Sequence, residues 1–482
     1  MTTRKALAFS FLDRYSALVL AIASSALLAR LLTPAEIGVF SVTMVMLSYV
    51  GNLRDLGAGQ YLLQEKELTQ DRIRATWAVQ LGLGLLFSLV VLLAATPAAS
   101  FYAEPRMHDI MLVLAANFAI GPFGSLTYAW LMREMRFQSL AVMRFVSVLS
   151  GSVTSVLLAW KGFGPISLAY GNLVSTVVNA GMATFFRPPS FPWVPGLREI
   201  RRVLSFGGRV TATTIVNTFS SSAPEMLLGK LQGMSAAGLF SRANGLASMF
   251  HRLVMDATQS VAMPLFAKEV RETGNTRQSF ILATSYVTAI GWSFFLGVFF
   301  LAYPAIRLLY GDQWDSAVHL TRLLALGMAA GIAAALCPIA LLASGRINTN
   351  VKATVISAIQ FVALIALGAH FGLQFVGYAF IAANLFSASI WLVLTQKQIG
   401  FDAREFLAAV VRSGLVAVAA ALVPAAVFFW LGATPADRLL PLAVAVPGSI
   451  ALFLAAVVLL NHPLLREIER VLPRLKILSR RG

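Results

Sequence analysis

Apolar residues run through this chain in stretches of about 20, each closed by a short polar or charged interval, a length suited to crossing a bilayer as a helix. The stretches are too uninterrupted for the alternating pattern of a membrane β-strand. Windows of that length fall near residues 12–32, 36–53, 75–95, 108–130, 139–160 and 163–186, then 205–228, 236–256, 278–301, 316–343, 352–370, 373–395, 407–431 and 438–460. The pattern predicts an all-α, polytopic membrane protein of about 14 transmembrane helices. Six form a bundle over 1–190 and six more a second bundle over 191–400, while 401–482 holds an extra helix pair and a basic amphipathic tail.

The two bundles are copies of one plan. Arg30–Ser41, RLLTPAEIGVFS, returns without a gap as Lys230–Ser241, KLQGMSAAGLFS, so that Leu31 falls on Leu231, Gly38 on Gly238, Phe40 on Phe240 and Ser41 on Ser241. Each copy puts a cation at the end of an apolar segment, then a short polar turn, then a small-aromatic-small start to the next segment, which predicts a helix, a tight turn and a returning helix. The basic, apolar and small-residue order of the first 32 residues looks like a secretory signal. Its repeat mate before Lys230 is internal, so we expect the segment to be retained as the first span.

Composition agrees with a bilayer: 58% of the residues are hydrophobic and 12% charged, where a soluble domain would have about a quarter charged. The formal charge of +17 is spread between apolar segments and not gathered in one stripe, so it argues for membrane topology and against nucleic acid. Assigning alternate intervals to alternate sides puts roughly 29 of the 38 Lys and Arg on the side of both termini, which predicts cytoplasmic ends. A single cysteine, Cys337, rules out an internal disulfide, and the five histidines show no ligand spacing. There is no nucleophile elbow and no phosphate-cradling glycine loop, and the chain is expected not to be an enzyme. The interval Arg187–Leu204, rich in proline, marks the boundary between the bundles. Its LREIRRVL is nearly repeated as LREIERVL at Leu465–Leu472, and both are expected to lie on the membrane surface, arginines toward anionic head groups.

The seventh segment, GGRVTATTIVNTFSSSAPEMLLG, is too polar to face lipid. At helical spacing Arg209, Thr213, Asn217 and Ser220 share a stripe, with Glu225 on the next. The eighth continues with Arg242, Ser248, Arg252, Asp256 and Gln259. Small polar residues also pack helices together, and Arg252 with Asp256 has the spacing of an intrahelical ion pair. Arg14, Arg54 and Arg144 stand in or beside segments of the first bundle, either lining a polar path or snorkelling to the surface. A charge at mid-bilayer costs about 2.5 to 3.5 kcal/mol, so such residues pair or face a cavity.

LARLLTPAEIGVFS, DLGAGQYLLQ and LLGKLQGMSAAGLFSRANGL resemble the oligosaccharide flippases, or Wzx-type polysaccharide exporters, of the multidrug/oligosaccharidyl-lipid/polysaccharide exporter superfamily. The resemblance implies two six-helix bundles about a central cavity, alternating access, and transport of a polyprenyl-diphosphate-linked oligosaccharide to the periplasmic leaflet of the bacterial inner membrane. It implies partners in membrane lipids and in a polysaccharide polymerase and export machinery, no cofactor, and an open choice of Na+ or H+ as coupling ion. Members often carry Asp where this chain has Glu225, and Arg14 is the candidate counterpart of a diphosphate-binding arginine. A cation-coupled drug antiporter would want a carboxylate deep in a span, whereas arginines outnumber acids here. A membrane glycosyltransferase or polymerase would show a large external loop, and the external intervals here are short.

Overall fold

The computed structural model describes residues 19–55, 58–65, 67–189, 191–432 and 439–471, and these form helices and connections with no strand among them. Packing divides the chain into two compact units, Met1–Gly238 and Leu239–Gly482. The first contains α1 (Val19–Leu31), α2 (Pro34–Asp55), α3 (Ala58–Gln64), α4 (Gln70–Tyr102), α5 (Arg106–Ile120), α6 (Pro122–Arg133), α7 (Phe137–Trp160), α8 (Ile166–Phe186) and α9 (Ile200–Leu231). Helix α10 (Met234–Ala247) leads into the second, which holds α11 (Asp256–Thr273), α12 (Arg277–Leu309), α13 (Ala317–Gly331), α14 (Cys337–Ala343), α15 (Ile347–Phe371), α16 (Leu373–Ile399), α17 (Ala403–Leu431), α18 (Leu439–Leu459) and α19 (Leu464–Val471).

Nine helices among the described residues are long and apolar enough to cross a membrane, or ten if α5 and α6 form one span bent by 49°. The bend falls at Gly121 and Pro122, where proline opens the second half as its first helical residue. The lipid-facing character shows on α4, whose Leu85, Leu86, Leu89 and Leu93 are all more than half exposed while Val79, Val91 and Ala95 are buried.

The repeated motif folds as its pattern predicts. Helix α1 ends at Leu31 and α2 starts at Pro34; α9 ends at Leu231 and α10 starts at Met234, both pairs 200 residues apart. In the first copy Thr33 and Glu36 make a reciprocal cap: Glu36 Oε2 accepts from the Thr33 backbone N–H at 2.8 Å, and Thr33 Oγ1 accepts from the Glu36 N–H at 3.3 Å. In the second copy the turn uses Gly233 at φ 87°. The starts of α2 and α10 meet backbone to backbone. A Cβ on Gly38 would stand 1.7 Å from the Met234 carbonyl oxygen, and one on Gly238 would stand 1.9 Å from that of Pro34, so repeat-related residues exchange places in the contact.

The proline-rich interval folds back onto the first unit. Phe191 is buried with Leu62, Ile73, Trp77, Leu126 and Ala129. The Arg187 guanidinium stacks between the rings of Trp193 at 3.9 Å and Trp77 at 5.0 Å, and Gly196 N–H donates to the Arg74 carbonyl at 3.2 Å. Of LREIRRVL, Ile200 and Val203 pack against Tyr61, Ala75 and Val79, whereas Leu197 stays 75% exposed. Its C-terminal echo forms α19, whose Leu464, Leu465 and Ile468 pack on Val416, Ala456 and Val457. In both places part of the apolar face expected to lie in lipid is covered by protein instead.

Candidate functional site

The polar residues singled out in the seventh and eighth segments fall on α9, α10 and the start of α11. In the first unit, Glu225 of α9 accepts a hydrogen bond from Ser41 Oγ of α2 at 2.6 Å, which fixes a half-buried carboxylate against the repeated motif. One turn further, Lys230 at the end of α9 lies over the Phe101 ring at 4.2 Å and donates to the Phe101 carbonyl. Arg144, in the second turn of α7, donates from Nη2 to the Tyr128 hydroxyl of α6 at 2.7 Å. That contact joins α7 to α6 within the first unit. Arg14 lies outside the described residues. Arg54 falls in the last turn of α2 and Arg209 and Asn217 on α9, with side chains outside the described residues.

In the second unit the eighth segment is not one regular helix. Between α10 and α11 the residues His251–Met255 widen into a π turn, a feature that re-aims side chains and recurs at functional sites. Just before it the Gly245 carbonyl accepts from Ser248 Oγ at 3.3 Å and from Arg252 Nη2 at 2.9 Å, so the Arg252 side chain is turned back along the helix toward α10. Arg242 of α10 lies over Tyr310 at 5.6 Å and Trp314 at 5.9 Å, both buried at the end of α12. Burial pushes the Tyr310 hydroxyl above its ordinary pKa, and the positive charges of Arg242 and Arg252 oppose that rise. The structure therefore sets one predicted arginine, Arg242, at an aromatic corner and turns a second, Arg252, back toward the same helix. Asp256 opens α11 with its carboxylate 3.9 Å from His251 Nε2, and Gln259 lies one turn on, half-buried.

Two further arginines were not singled out as site residues. Arg322 of α13 donates from Nε to the Phe299 carbonyl at 3.2 Å and lies 5.1 Å over the Phe428 ring. Arg307 is held by a bidentate pair with Asp315, Nε to Oδ1 at 2.8 Å and Nη2 to Oδ2. The signal for Arg322 was a single guanidinium inside the apolar window 316–343.

Arginines at an aromatic corner suit phosphate, because the guanidinium fork stays charged when desolvated and binds two oxygens at once. The sequence profile of the family described as polysaccharide biosynthesis protein matches residues 27–319, more than half of the chain and inclusive of both copies of the motif. The chain belongs to this family. Relatives in sequence include the succinoglycan biosynthesis transport protein ExoT of Rhizobium meliloti, 26% identical over 327 residues, 67% of this chain and 66% of that protein. The lipopolysaccharide biosynthesis protein WzxC of Escherichia coli is 23% identical over 467 residues, 94% of each chain. In fold the chain is similar to the inward closed conformation of the lipid II flippase MurJ, at a TM-score of 0.72 and 13% identity, covering 96% of this chain and 100% of that one. The family thus supplies a MurJ-like, all-α membrane fold, and the polar residues of α9 to α11 lie within it.

Proposed function

We propose that this chain is a flippase that moves a polyprenyl-diphosphate-linked oligosaccharide from the cytoplasmic to the periplasmic leaflet during surface polysaccharide biosynthesis. The observation that carries the proposal is the placing of Arg242 over the buried Tyr310 and Trp314, with Arg252 turned back toward the same helix by its bond to the Gly245 carbonyl. A glycan and its diphosphate cannot shed water into about 30 Å of hydrocarbon without replacement partners. Arginine forks supply them for phosphate, and hydroxyl and amide side chains such as Ser241, Asn244 and Gln259 supply them for sugar. An inside-negative potential favours outward movement of the anion by about 2.3 kcal/mol per charge per 100 mV. Coupling to Na+ or H+, if used, falls to Glu225, the membrane carboxylate held by Ser41.

The membrane is the bacterial inner membrane, with fourteen spans and both termini cytoplasmic. Described cations support that orientation: Arg72, Arg74, Arg133, Arg136, Arg187 and Arg202 gather at one end of the first unit. The action is transport without bond-making, with a polymerase and export machinery as partners downstream.

The test is a charge series at Arg252. Arg252→Lys keeps the charge and loses the fork, while Arg252→Ala loses both, so glycan export falls from wild type to Arg252→Lys to Arg252→Ala at constant membrane abundance. The double variant Arg252→Ala, Asp256→Ala separates phosphate binding from a local ion pair. Normal export from an abundant double variant would end the role of Arg252 in binding phosphate.

A further inference from the structure

The interval that joins α8 to α9 opens on a guanidinium that has no acid beside it. Arg187 follows the last residue of α8 and lies between the rings of Trp193 at 3.9 Å and Trp77 at 5.0 Å. Its Nη2 donates to the Pro192 carbonyl. Its Nε is cut off from water and has no acceptor, and Nη1 has no partner among the described residues. The ring nitrogen of Trp77, a residue only 3% exposed, is likewise buried without an acceptor. A buried donor left unpaired costs about 1 to 3 kcal/mol, so this corner is short of acceptors as well as of negative charge.

Elsewhere the chain pairs such groups: Arg106 has Glu104 at 2.8 Å, and Arg307 has Asp315. Arg187 has no carboxylate within ion-pair distance among the described residues. Burial lowers its pKa, and no carboxylate opposes the fall. The C-terminal dipole of α8 favours a cation at this position but gives Nε no acceptor. A second guanidinium sits on the same aromatic cluster. Arg136 lies 5.0 Å over Trp130, which meets Phe191 edge to face at 5.9 Å, and Phe191 packs with Trp77. Around Arg187 the surface is apolar: Phe185 in the last turn of α8 and Trp193, Val194 and Leu197 beyond it are all more than half exposed. Tryptophan and aliphatic side chains beside an arginine suit the headgroup layer of a bilayer, where phosphates and acyl chains are both within reach.

We propose that Arg187, held between Trp77 and Trp193, is a binding site for the headgroup phosphate of an anionic membrane phospholipid. The phosphodiester supplies the charge that Arg187 lacks and meets its Nη1 edge, while Trp193, Val194 and Leu197 lie along the acyl chains. A cation already held between two rings has little freedom left to lose when the phosphate arrives. A tilt of the exposed Trp193 ring opens Nε to a second phosphate oxygen, and the fork then makes two bonds. The occupant is a resident lipid of the bilayer, so the inference stands apart from the flippase reading and from Arg242 and Arg252. A lipid bound here fastens the interval between α8 and α9 to the membrane surface.

The test uses the full-length protein in phosphatidylcholine nanodiscs that hold a trace of a photoreactive phospholipid, either phosphatidylglycerol or phosphatidylcholine. Crosslinked peptides are read by mass spectrometry. Labelling of the lipid-facing residues 85–93 of α4 is the internal standard, and the thermal midpoint checks folding. The phosphatidylglycerol probe should label residues 187–199 about tenfold more than the phosphatidylcholine probe, and Arg187→Gln should remove that preference, with Arg187→Lys between. Trp193→Leu, at an exposed position, should cut the preference about threefold, and it becomes the deciding variant if Arg187→Gln lowers the midpoint. Excess unlabelled phosphatidylglycerol should compete and inorganic phosphate should not. Equal labelling by the two probes, or an unchanged preference in the well-folded deciding variant, would leave Arg187 a packing cation only and overturn the proposal. Competition by inorganic phosphate would make the corner an unselective anion site, and protection by a short polyprenyl diphosphate but not by phosphatidylglycerol would assign it to a transported lipid; either result also overturns it.

Discussion

At Gly38 and Gly238 a hydrogen stands where any other residue would put a carbon inside a carbonyl oxygen's radius, so the close approach of α2 and α10 requires glycine on both sides. Gly38→Ala should cost about 2 kcal/mol or more, because backbone and not a flexible side chain must give way. Gly51→Ala, on the same helix with nothing within 4 Å of the added methyl, should be neutral or stabilising by up to about 1 kcal/mol. Thermal midpoints of the two purified variants check the pair, and equal midpoints would contradict the packing. The 200-residue offset made these two glycines legible in the sequence as equivalents. That they touch was not legible, since a repeat states likeness and not proximity. Ser41 is a similar case: its place in the motif could be read, but its bond to Glu225 joins residues 184 apart and follows only from how α2 lies on α9.

At the scale of elements, α19 is tied down by a neutral histidine. His462 Nδ1 accepts from the Leu464 N–H at 3.2 Å and its Nε2 lies 3.1 Å from Ser413 Oγ of α17, so the proton sits on Nε2. Burial first and the charge of Arg412 second lower its pKa to about 4. With the folded value below the unfolded value of about 6.5, the docked form is fully stable above pH 6.5 and loses stability as pH falls toward 4, by up to about 3 kcal/mol. Hydrogen-exchange protection over residues 464–471 should therefore drop between pH 7.5 and 5, and His462→Gln should abolish the dependence. Unchanged wild-type protection across that range would contradict the docking. The amphipathic pattern of this helix was plain from LREIERVL, but a stripe of Leu and Ile does not say whether lipid or Val416 and Val457 covers it. The π turn at His251–Met255 was equally hidden, because one inserted residue barely disturbs a short helical periodicity.

At the scale of the molecule, most of the helical plan could be read because the bilayer permits so few solutions: long apolar segments must close their own backbone hydrogen bonds as helices. The least regular parts were the least legible. Phe191 and Arg187, in an interval that reads as the boundary between the bundles, anchor it against Trp77 and Trp193 through contacts that no local pattern encodes. The same holds for the candidate site, where Arg242 meets Tyr310 across 68 residues of chain. Lipid translocation is the property assigned to it. It is measured by reconstituting the purified protein into liposomes that carry a fluorescent polyprenyl-diphosphate oligosaccharide in one leaflet, and following its exposure to a membrane-impermeant quencher. The labelled lipid should reach the opposite leaflet in vesicles holding the wild type and stay behind in vesicles holding Arg242→Ala, Arg252→Ala; transfer no faster than in protein-free vesicles would contradict the assignment as a flippase.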